Sequence, residues 1–291
     1  MLLLWILALL LLFAGVYLLL IAPSDQHPET GHLEGWLYAH RGLHDGNRQV
    51  PENSLQAFRL AVENGYGMEL DVQLTADGQL VVFHDKTLKR VCGVDVTLSN
   101  LTYDDLKLYP LPDGSIIPLF SQVLELVGGR APIIVEVKYH GSVTANAAAA
   151  WEHLKSYKGP YCVESFHPVA MQYFRKHAPD VVRGQLAAGG KWKKGDSSRI
   201  VHFAMKHLLV NCISRPHFVA YSVPDDNVPA MWLMKNIFKP MLAAWTIRSQ
   251  STLDACEGVY HFPIFELFTP AGTGKQPAPA EEEGTLPGSE G

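Results

Sequence analysis

YAHRG at 38–42, PENS at 51–54, MELDV at 68–72 and VVFHD at 81–85 are the segments whose reading decides the fold. An apolar strand over 36–40 ends on His40. PENS opens a helix, with Asn53 as the expected cap and Gln56 three residues on. Leu55, Phe58 and Val62 share one face of that helix, and Gly65 stops it. A second strand over 68–74 carries Glu69 and Asp71 two residues apart, so both side chains point to the same side. The turn Ala76-Asp77-Gly78 leads to a short return strand over 80–84 that ends on His84. Two histidines thus end strands beside a pair of acids.

Outward from this stretch, strand and helix signals alternate to residue 262. Residues 86–118 are rich in loops and proline. Phe120, Val123, Leu124 and Val127 form a helical stripe closed by Gly128-Gly129. Residues 132–138 read as a strand bearing Glu136 and Lys138 on one side. A helix over 145–155 follows, with Thr144 as its expected cap. Strands are expected over 160–166, 181–186, 217–222, 241–246 and 258–262, and helices over 168–177, 197–207 and 227–237. Short connections between alternating elements predict a parallel α/β fold, and their number favours an eight-stranded (β/α)8 TIM barrel over an open doubly wound sheet. No GxGxxG or GxxxxGK[ST] opens a helix, which weighs against the open sheet.

The ends read differently. Leu2 to Ile21 is an uncharged apolar run of 20 residues. As a helix it is ~30 Å long, the thickness of a bilayer's hydrocarbon core. A cleaved signal peptide is the competing reading, but no Lys or Arg precedes the run and LLLIAP at 18–23 is a poor cleavage site. The expected organisation is a transmembrane helix over 1–22, a linker over 23–35, a barrel over 36–268 and a disordered Pro/Gly/Glu-rich tail over 269–291. The first basic residue is Arg41, while Asp25, Glu29 and Glu34 follow the helix. This single-pass arrangement leans towards a barrel on the outer face of the membrane. The net charge of -5 and the absence of a Lys/Arg run argue against a nucleic-acid partner. Cys92, Cys162, Cys212 and Cys256 are widely spaced, as buried free thiols are, and form no CxxC.

In a (β/α)8 barrel chemistry sits where the strands end. His40, His84, Glu136 with Lys138, Phe166 and Trp245 all fall there. Carboxylates on the inward face of a strand are costly unless paired or metal-bound. Glu69, Asp71 and Glu136 would suit a hard divalent cation, Mg²⁺ or Ca²⁺. An ion-pair network with Arg41 and Lys138 accounts for the same spacing. Two histidines can hold one base and one acid near neutral pH, and Arg41 and Lys138 would attract a phosphate.

HRG at 40–42, PENS, ELDV at 69–72, HD at 84–85, Glu136-Val137-Lys138, Ser165-Phe166 and Trp245-Thr246 together resemble the signature set of the glycerophosphodiester phosphodiesterase family. The resemblance runs from about 37 to 262. It implies a (β/α)8 barrel that binds a divalent metal and hydrolyses glycerophosphodiesters to sn-glycerol 3-phosphate and an alcohol. It implies metal ligation by Glu69, Asp71 and Glu136, acid/base roles for His40 and His84, and phosphate contacts for Arg41 and Lys138. Phe166 and Trp245 would be substrate-binding wall residues. The substrate is then a small glycerophosphodiester or a lipid-derived ester. Alternatives are a lysophospholipase D-like or cyclic-phosphate-forming enzyme on membrane lipid or envelope polymer, and a tethered module that binds phosphate esters without turnover. The chain departs from the family at 257–268, EGVYHFPIFELF, where an Asp-bearing TDxP stretch is usual. It departs again at Arg248, where a small polar residue is usual. The short 86–118 cover would leave a more open pocket, able to admit a bulkier alcohol or a lipid.

Overall fold

A computed structural model describes residues 1–26, 28–191 and 198–271. The rest of the expected tail, 272–291, lies outside the described residues. Helix α1 (Leu2–Ile21) leads. It is followed by β1 (Tyr38–Ala39), α2 (Leu55–Glu63), β2 (Gly67–Leu74) and β3 (Leu80–Val82). The proline-rich segment then folds into α3 (Lys89–Cys92), a 3-10 turn at Leu98–Asn100 and α4 (Tyr103–Leu106). The regular alternation continues with α5 (Phe120–Val127), β4 (Ile133–Val137), α6 (Val143–Leu154), β5 (Tyr161–Ser165), α7 (Pro168–His177) and β6 (Arg183–Ala187). It closes with α8 (Arg199–Lys206), α9 (Asn211–Ser214), β7 (Phe218–Ser222), α10 (Pro229–Leu233), a π turn at Met234–Phe238, β8 (Met241–Ile247), α11 (Gln250–Cys256) and β9 (Phe262–Phe265).

All strands but β3 are parallel, and β1 pairs with both β2 and β9, so the sheet closes into an eight-stranded barrel. The antiparallel β3 lies outside it, paired with β2 and bridged at Val81 to Leu119. Alternation along each strand sorts the side chains into two shells. Met68, Leu70, Val72, Ile133, Val135, Val137 and Val163 face outward and pack on Phe58, Val62, Phe120, Val123 and Phe174 of the helices. The inner shell holds Tyr38, Ile134, Cys162, Leu186, Phe218, Ala243, Phe262 and Ile264. Gly184 makes room for this plug, because a Cβ there would lie 2.2 Å from the Phe218 ring.

Two residues further along β1, β4, β5 and β9 the interior changes from apolar to polar and charged. His40 follows Tyr38, Glu136 follows Ile134, Glu164 follows Cys162 and Glu266 follows Ile264. Asp71, Glu136 and Glu164 lie in register across β2, β4 and β5, so they point the same way.

Three local expectations are corrected. Ser54, not Asn53, caps α2 and accepts from the Ala57 amide. Ser142, not Thr144, caps α6 and accepts from the Ala145 amide. The last strand is β9 at Phe262–Phe265 rather than 258–262, and the polar helix α11 precedes it. The segment after α1 is packed as well: Leu33 is fully buried, and its carbonyl accepts from the Tyr38 hydroxyl at 2.5 Å.

Candidate active site

The charged upper layer begins with the HRG turn. Gly42 has φ +79°, and a Cβ there would sit 2.8 Å from the Ala57 Cβ, so only glycine fits this close approach to α2. Arg41 and Asn53 also take left-handed backbone, at φ +56° and +55°, which side chains adopt only under constraint. The constraint is mutual. The Asn53 amide donates to the Arg41 carbonyl at 2.9 Å, and the Arg41 amide donates to Glu69 Oε2 at 3.1 Å. With Ser54 capping the helix, the Asn53 side chain is free to donate to Asp71 Oδ2 at 2.8 Å.

Glu69, Asp71 and Glu136 converge, each offering a carboxylate oxygen within 4.8 Å of the others. All three are buried. Lys138 Nζ donates to Glu136 at 2.8 Å and to Asp71 at 3.2 Å, and Arg41 Nε lies 3.4 Å from Asp71 Oδ2. Burial pushes Glu69 well above its ordinary range, and the charges of Asp71 and Glu136 add to that. Asp71 goes the other way. Burial opposes its charge, but Lys138, His84 and Arg41 hold the carboxyl well below the usual range. A fourth buried acid, Glu164, stands beside this group with one carboxylate oxygen lacking any hydrogen-bond partner. Glu69, Asp71, Glu136 and Glu164 face only Lys138 and Arg41, and Arg41 is shared with Glu52, so acids outnumber cations at this point. Hard, converging oxygen donors with that surplus fit a divalent cation held by Glu69, Asp71 and Glu136.

The two histidines sit in parallel settings. His40 Nδ1 contacts Glu266 Oε2 at 2.5 Å, and Arg248 Nε donates to the other Glu266 oxygen at 2.7 Å. His84 Nδ1 contacts Asp85 Oδ1 at 2.6 Å, and Arg90 Nε donates to Asp85 Oδ2 at 2.7 Å. Each imidazole is thus turned by a carboxylate that an arginine anchors. The Nε2 edge faces away from that carboxylate, and in His40 it lies 3.9 Å from Glu69. Burial lowers the His40 pKa, with Glu266 pulling against it. Arg248, at a departure from the family pattern, therefore bonds to Glu266 from the rim while its side chain stays largely exposed.

Buried amides fix the loops that carry these groups. Gln73 Nε2 donates to the Phe83 and Asp85 carbonyls at 2.7 and 3.0 Å, and Asn146 Nδ2 to those of Lys138 and His140 at 2.8 and 3.0 Å. Gln185 Nε2 donates to the Ser165 and Phe166 carbonyls at 3.1 and 3.0 Å. Phe166 and Trp245 meet edge to face with ring centres 5.6 Å apart, forming an aromatic wall.

All nine sequence-selected residues therefore stand at one end of the barrel. The spacing of acids and histidines does not single out Glu52, Asn53, Asp85, Arg90, Glu164, Arg248 or Glu266. Glu52, Asn53 and Asp85 lie inside quoted motifs, whereas Arg90 and Glu266 become visible only once the barrel closes.

Glu52 is the hinge of the network, accepting from Arg41 at 2.7 Å and from Arg90 at 2.6 and 2.7 Å. Burial would raise its carboxyl, but Arg90 and Arg41 bring it down to about 2. A depressed carboxylate stabilises the fold above its unfolded pKa of ~4.3, and that contribution is lost as the pH falls from there towards about 2. At ~1.4 kcal/mol per unit the gap corresponds to at most ~3 kcal/mol. Glu52→Gln should therefore lower stability at pH 7 by ~2–3 kcal/mol, with the difference from wild type shrinking on acidification. Urea unfolding of both proteins between pH 7 and pH 3 tests this, and parallel curves would contradict it.

The family model for "Glycerophosphoryl diester phosphodiesterase family" matches residues 40–260. A glycerophosphodiester phosphodiesterase of Bacillus altitudinis is 33% identical over 159 residues, covering 50% of this chain and 63% of that protein. Glycerophosphodiester phosphodiesterase 1 of Homo sapiens is 36% identical over 120 residues, 38% of this chain and 35% of that one. The chain thus spans less than two thirds of the length of these curated relatives. Among solved structures, an Oleispira antarctica phosphodiesterase in complex with the product sn-glycerol-3-phosphate superposes with TM-score 0.65 at 22% identity, covering 80% of this chain and 93% of that one. A Thermotoga maritima glycerophosphodiester phosphodiesterase superposes with TM-score 0.60 at 24% identity, covering 80% and 96%. These structures share the barrel. With the family match covering more than half of the chain, from His40 to Tyr260, the chain belongs to the glycerophosphoryl diester phosphodiesterase family.

Proposed function

We propose that this protein is a metal-dependent phosphoric diester hydrolase that cleaves glycerophosphodiesters to sn-glycerol 3-phosphate and an alcohol. The observation that carries the reading is the pair of carboxylate-anchored histidines, His40 on Glu266 and His84 on Asp85, flanking the Glu69, Asp71 and Glu136 cluster. A divalent cation, Mg²⁺ or Ca²⁺, on those three acids would supply charge neutralisation at the phosphate. Arg41 and Lys138 bind and orient the phosphate oxygens. One imidazole takes a proton from the attacking hydroxyl, which belongs to water or to the substrate's own glycerol; in the second case the cyclic phosphate that forms is opened by water in a following step. The other gives a proton to the departing alkoxide. Phe166 and Trp245 exclude water on the side of the glycerol or leaving group.

We assign the chain's parts accordingly: an anchor over 1–22, a connector over 23–35, the barrel over 36–268 and a tail over 269–291. The anchor reading rests on α1, the one helix among the described residues long and apolar enough to cross a membrane. The first Lys or Arg after it is Arg41, so no cluster of positive charge beside the helix holds the barrel inside, and we read the barrel as on the outer face. A membrane-held barrel also supports a second reading, lysophospholipase D-like cleavage of a monoacyl lipid.

The test uses the full chain in detergent, stripped with chelator. Glycerol 3-phosphate release from glycerophosphocholine should appear only on adding Mg²⁺ or Ca²⁺. No metal-dependent release from a folded protein, with lysophosphatidylcholine also intact, would reject the reading.

A further inference from the structure

We propose that the catalytic rim of the barrel lies against a lipid leaflet, held there by α1 and by an apolar collar on α8 and α10. The argument starts from how α1 is seated. Asn211 Nδ2 donates to the Ile21 carbonyl at 2.9 Å, Arg215 Nη1 donates to the Leu19 and Ala22 carbonyls at 3.0 and 2.9 Å, and the Ser24 amide donates to the Pro216 carbonyl at 2.8 Å. These partners immediately precede β7, so the C-terminal end of α1 sits at the rim where strands begin. These bonds satisfy carbonyls that a helix end leaves open, and they fix the helix to the barrel.

Followed backwards, α1 climbs the barrel wall. Ile21 is fully buried in a cluster with Val219, Tyr221 and Met231, and Tyr17 packs on the same cluster close to Tyr221, near the end of β7. Continued in that direction, the exposed residues 1–16 would pass the rim where strands end, the rim that carries His40 and His84. At ~1.5 Å per residue this overhang is ~24 Å long. Its large side chains are exposed, among them Leu3 at 79% and Phe13 at 63%.

The collar stands at the same rim. Tyr221 donates its hydroxyl proton to the Lys206 carbonyl at 2.9 Å, which places the last residue of α8 level with the end of β7. From there the chain descends through α9 to the start of β7, so the earlier turns of α8 stand further out. Lys206 Nζ and His202 Nε2 hold them to the Gly189 and Gly190 carbonyls at 2.7 and 3.0 Å. No residue of α8 is buried, and Ile200 is 81%, Phe203 56% and Val201 48% exposed. Trp232 of α10 is 59% exposed. The loops leading to α8 and α10 are in contact, since a Cβ on Gly189 would lie 2.0 Å from the Asp225 carbonyl oxygen. An aromatic and aliphatic fringe of this kind, beside an apolar helix of bilayer length, fits the headgroup boundary of a membrane. Substrate would then enter from the leaflet rather than from the bulk.

This inference rests on α1 being an anchor and not on the reaction. The full chain, with Cys92→Ser and Cys212→Ser to remove the part-exposed thiols, is reconstituted into phosphatidylcholine liposomes containing a nitroxide-labelled lipid. An environment-sensitive fluorophore is attached at Phe203→Cys or Ile200→Cys on the collar, or at Lys158→Cys just before β5 on the opposite rim. Both collar labels should be quenched several-fold more than the Lys158 label. Equal quenching at the two rims, stronger quenching at Lys158, or failure of the folded chain to float with the liposomes would overturn the proposal.

Discussion

Alanine at His40 or at His84 should lower turnover by ~10²–10⁴-fold while leaving the barrel folded. The size follows from the role: each imidazole would move a proton to or from an oxygen bonded to phosphorus. Retention of the fold follows from position. The His40 and His84 side chains are 14% and 31% exposed at the rim, above the apolar plug, so neither truncation opens a cavity in the core. The two losses should also differ in kind from those caused by the residues behind them. Glu266→Gln and Asp85→Asn keep shape and hydrogen-bonding capacity but remove the charge that steadies an imidazolium. They should lower kcat less than the histidine truncations do, with KM little changed. Steady-state kinetics on all four variants, with circular dichroism as the fold control, provides the comparison. Near wild-type turnover in either histidine variant would remove that residue from the mechanism.

Much of this site is legible in the sequence because the inward face of a parallel strand announces itself. A carboxylate two residues after another, in a run otherwise made of Met, Leu and Val, has no cheap burial. Glu69 and Asp71 stand out on β2 for that reason, as does Glu136 on β4. What the sequence hides is pairing across the closure of the barrel. Glu266 is 226 residues from His40, and nothing local distinguishes it from a surface acid before β9 is set beside β1. The misplaced last strand has the same root. Val259, Tyr260 and Phe262 make a plausible apolar run. Yet Tyr260 is turned to Asp226, and the first backbone bond to β8 is that of the His261 amide to the Leu242 carbonyl at 2.8 Å, so the register with β8 starts at the Ala243–Phe262 pair. Helix α11 escapes notice because QSTLDAC carries little apolar stripe, and in α11 only Cys256 is buried. Asn53 shows the converse limit. Asn and Ser are both good caps, and propensity does not decide between neighbours. The need of Asp71 for a donor does, since Asn reaches it at 2.8 Å when Ser54 takes the helix.

Glu69→Gln should abolish stabilisation by divalent cations and, in their absence, make the protein more stable than wild type. The usual expectation for a buried polar substitution is a loss, so the sign is the informative part. Glu69 is 2% exposed and sits against Asp71 and Glu136, while Lys138 hydrogen-bonds to those two acids and not to it. Its carboxyl is therefore held far above the ordinary range by burial and by its neighbours' charge. Without a cation it is a source of desolvation and repulsion, and a neutral amide of the same shape relieves both. Gln can still accept from the Arg41 amide, which keeps the HRG turn in place. With a cation the balance reverses for wild type alone. Binding to the folded state adds about RT ln(1 + [L]/Kd), ~2.7 kcal/mol at a hundredfold excess over Kd. Thermal unfolding in chelator and then in millimolar Ca²⁺ or Mg²⁺ reads both halves. The wild-type midpoint should rise several degrees with cation, and that of Glu69→Gln should start higher and stay put. Isothermal titration should show heat of binding for wild type only. If Glu69→Gln unfolds earlier than wild type in chelator yet gains the same rise with cation, Glu69 belongs to the ion-pair network of Arg41 and Lys138 rather than to a metal site. The alternation of acids along β2 and β4 would then serve stability instead of catalysis.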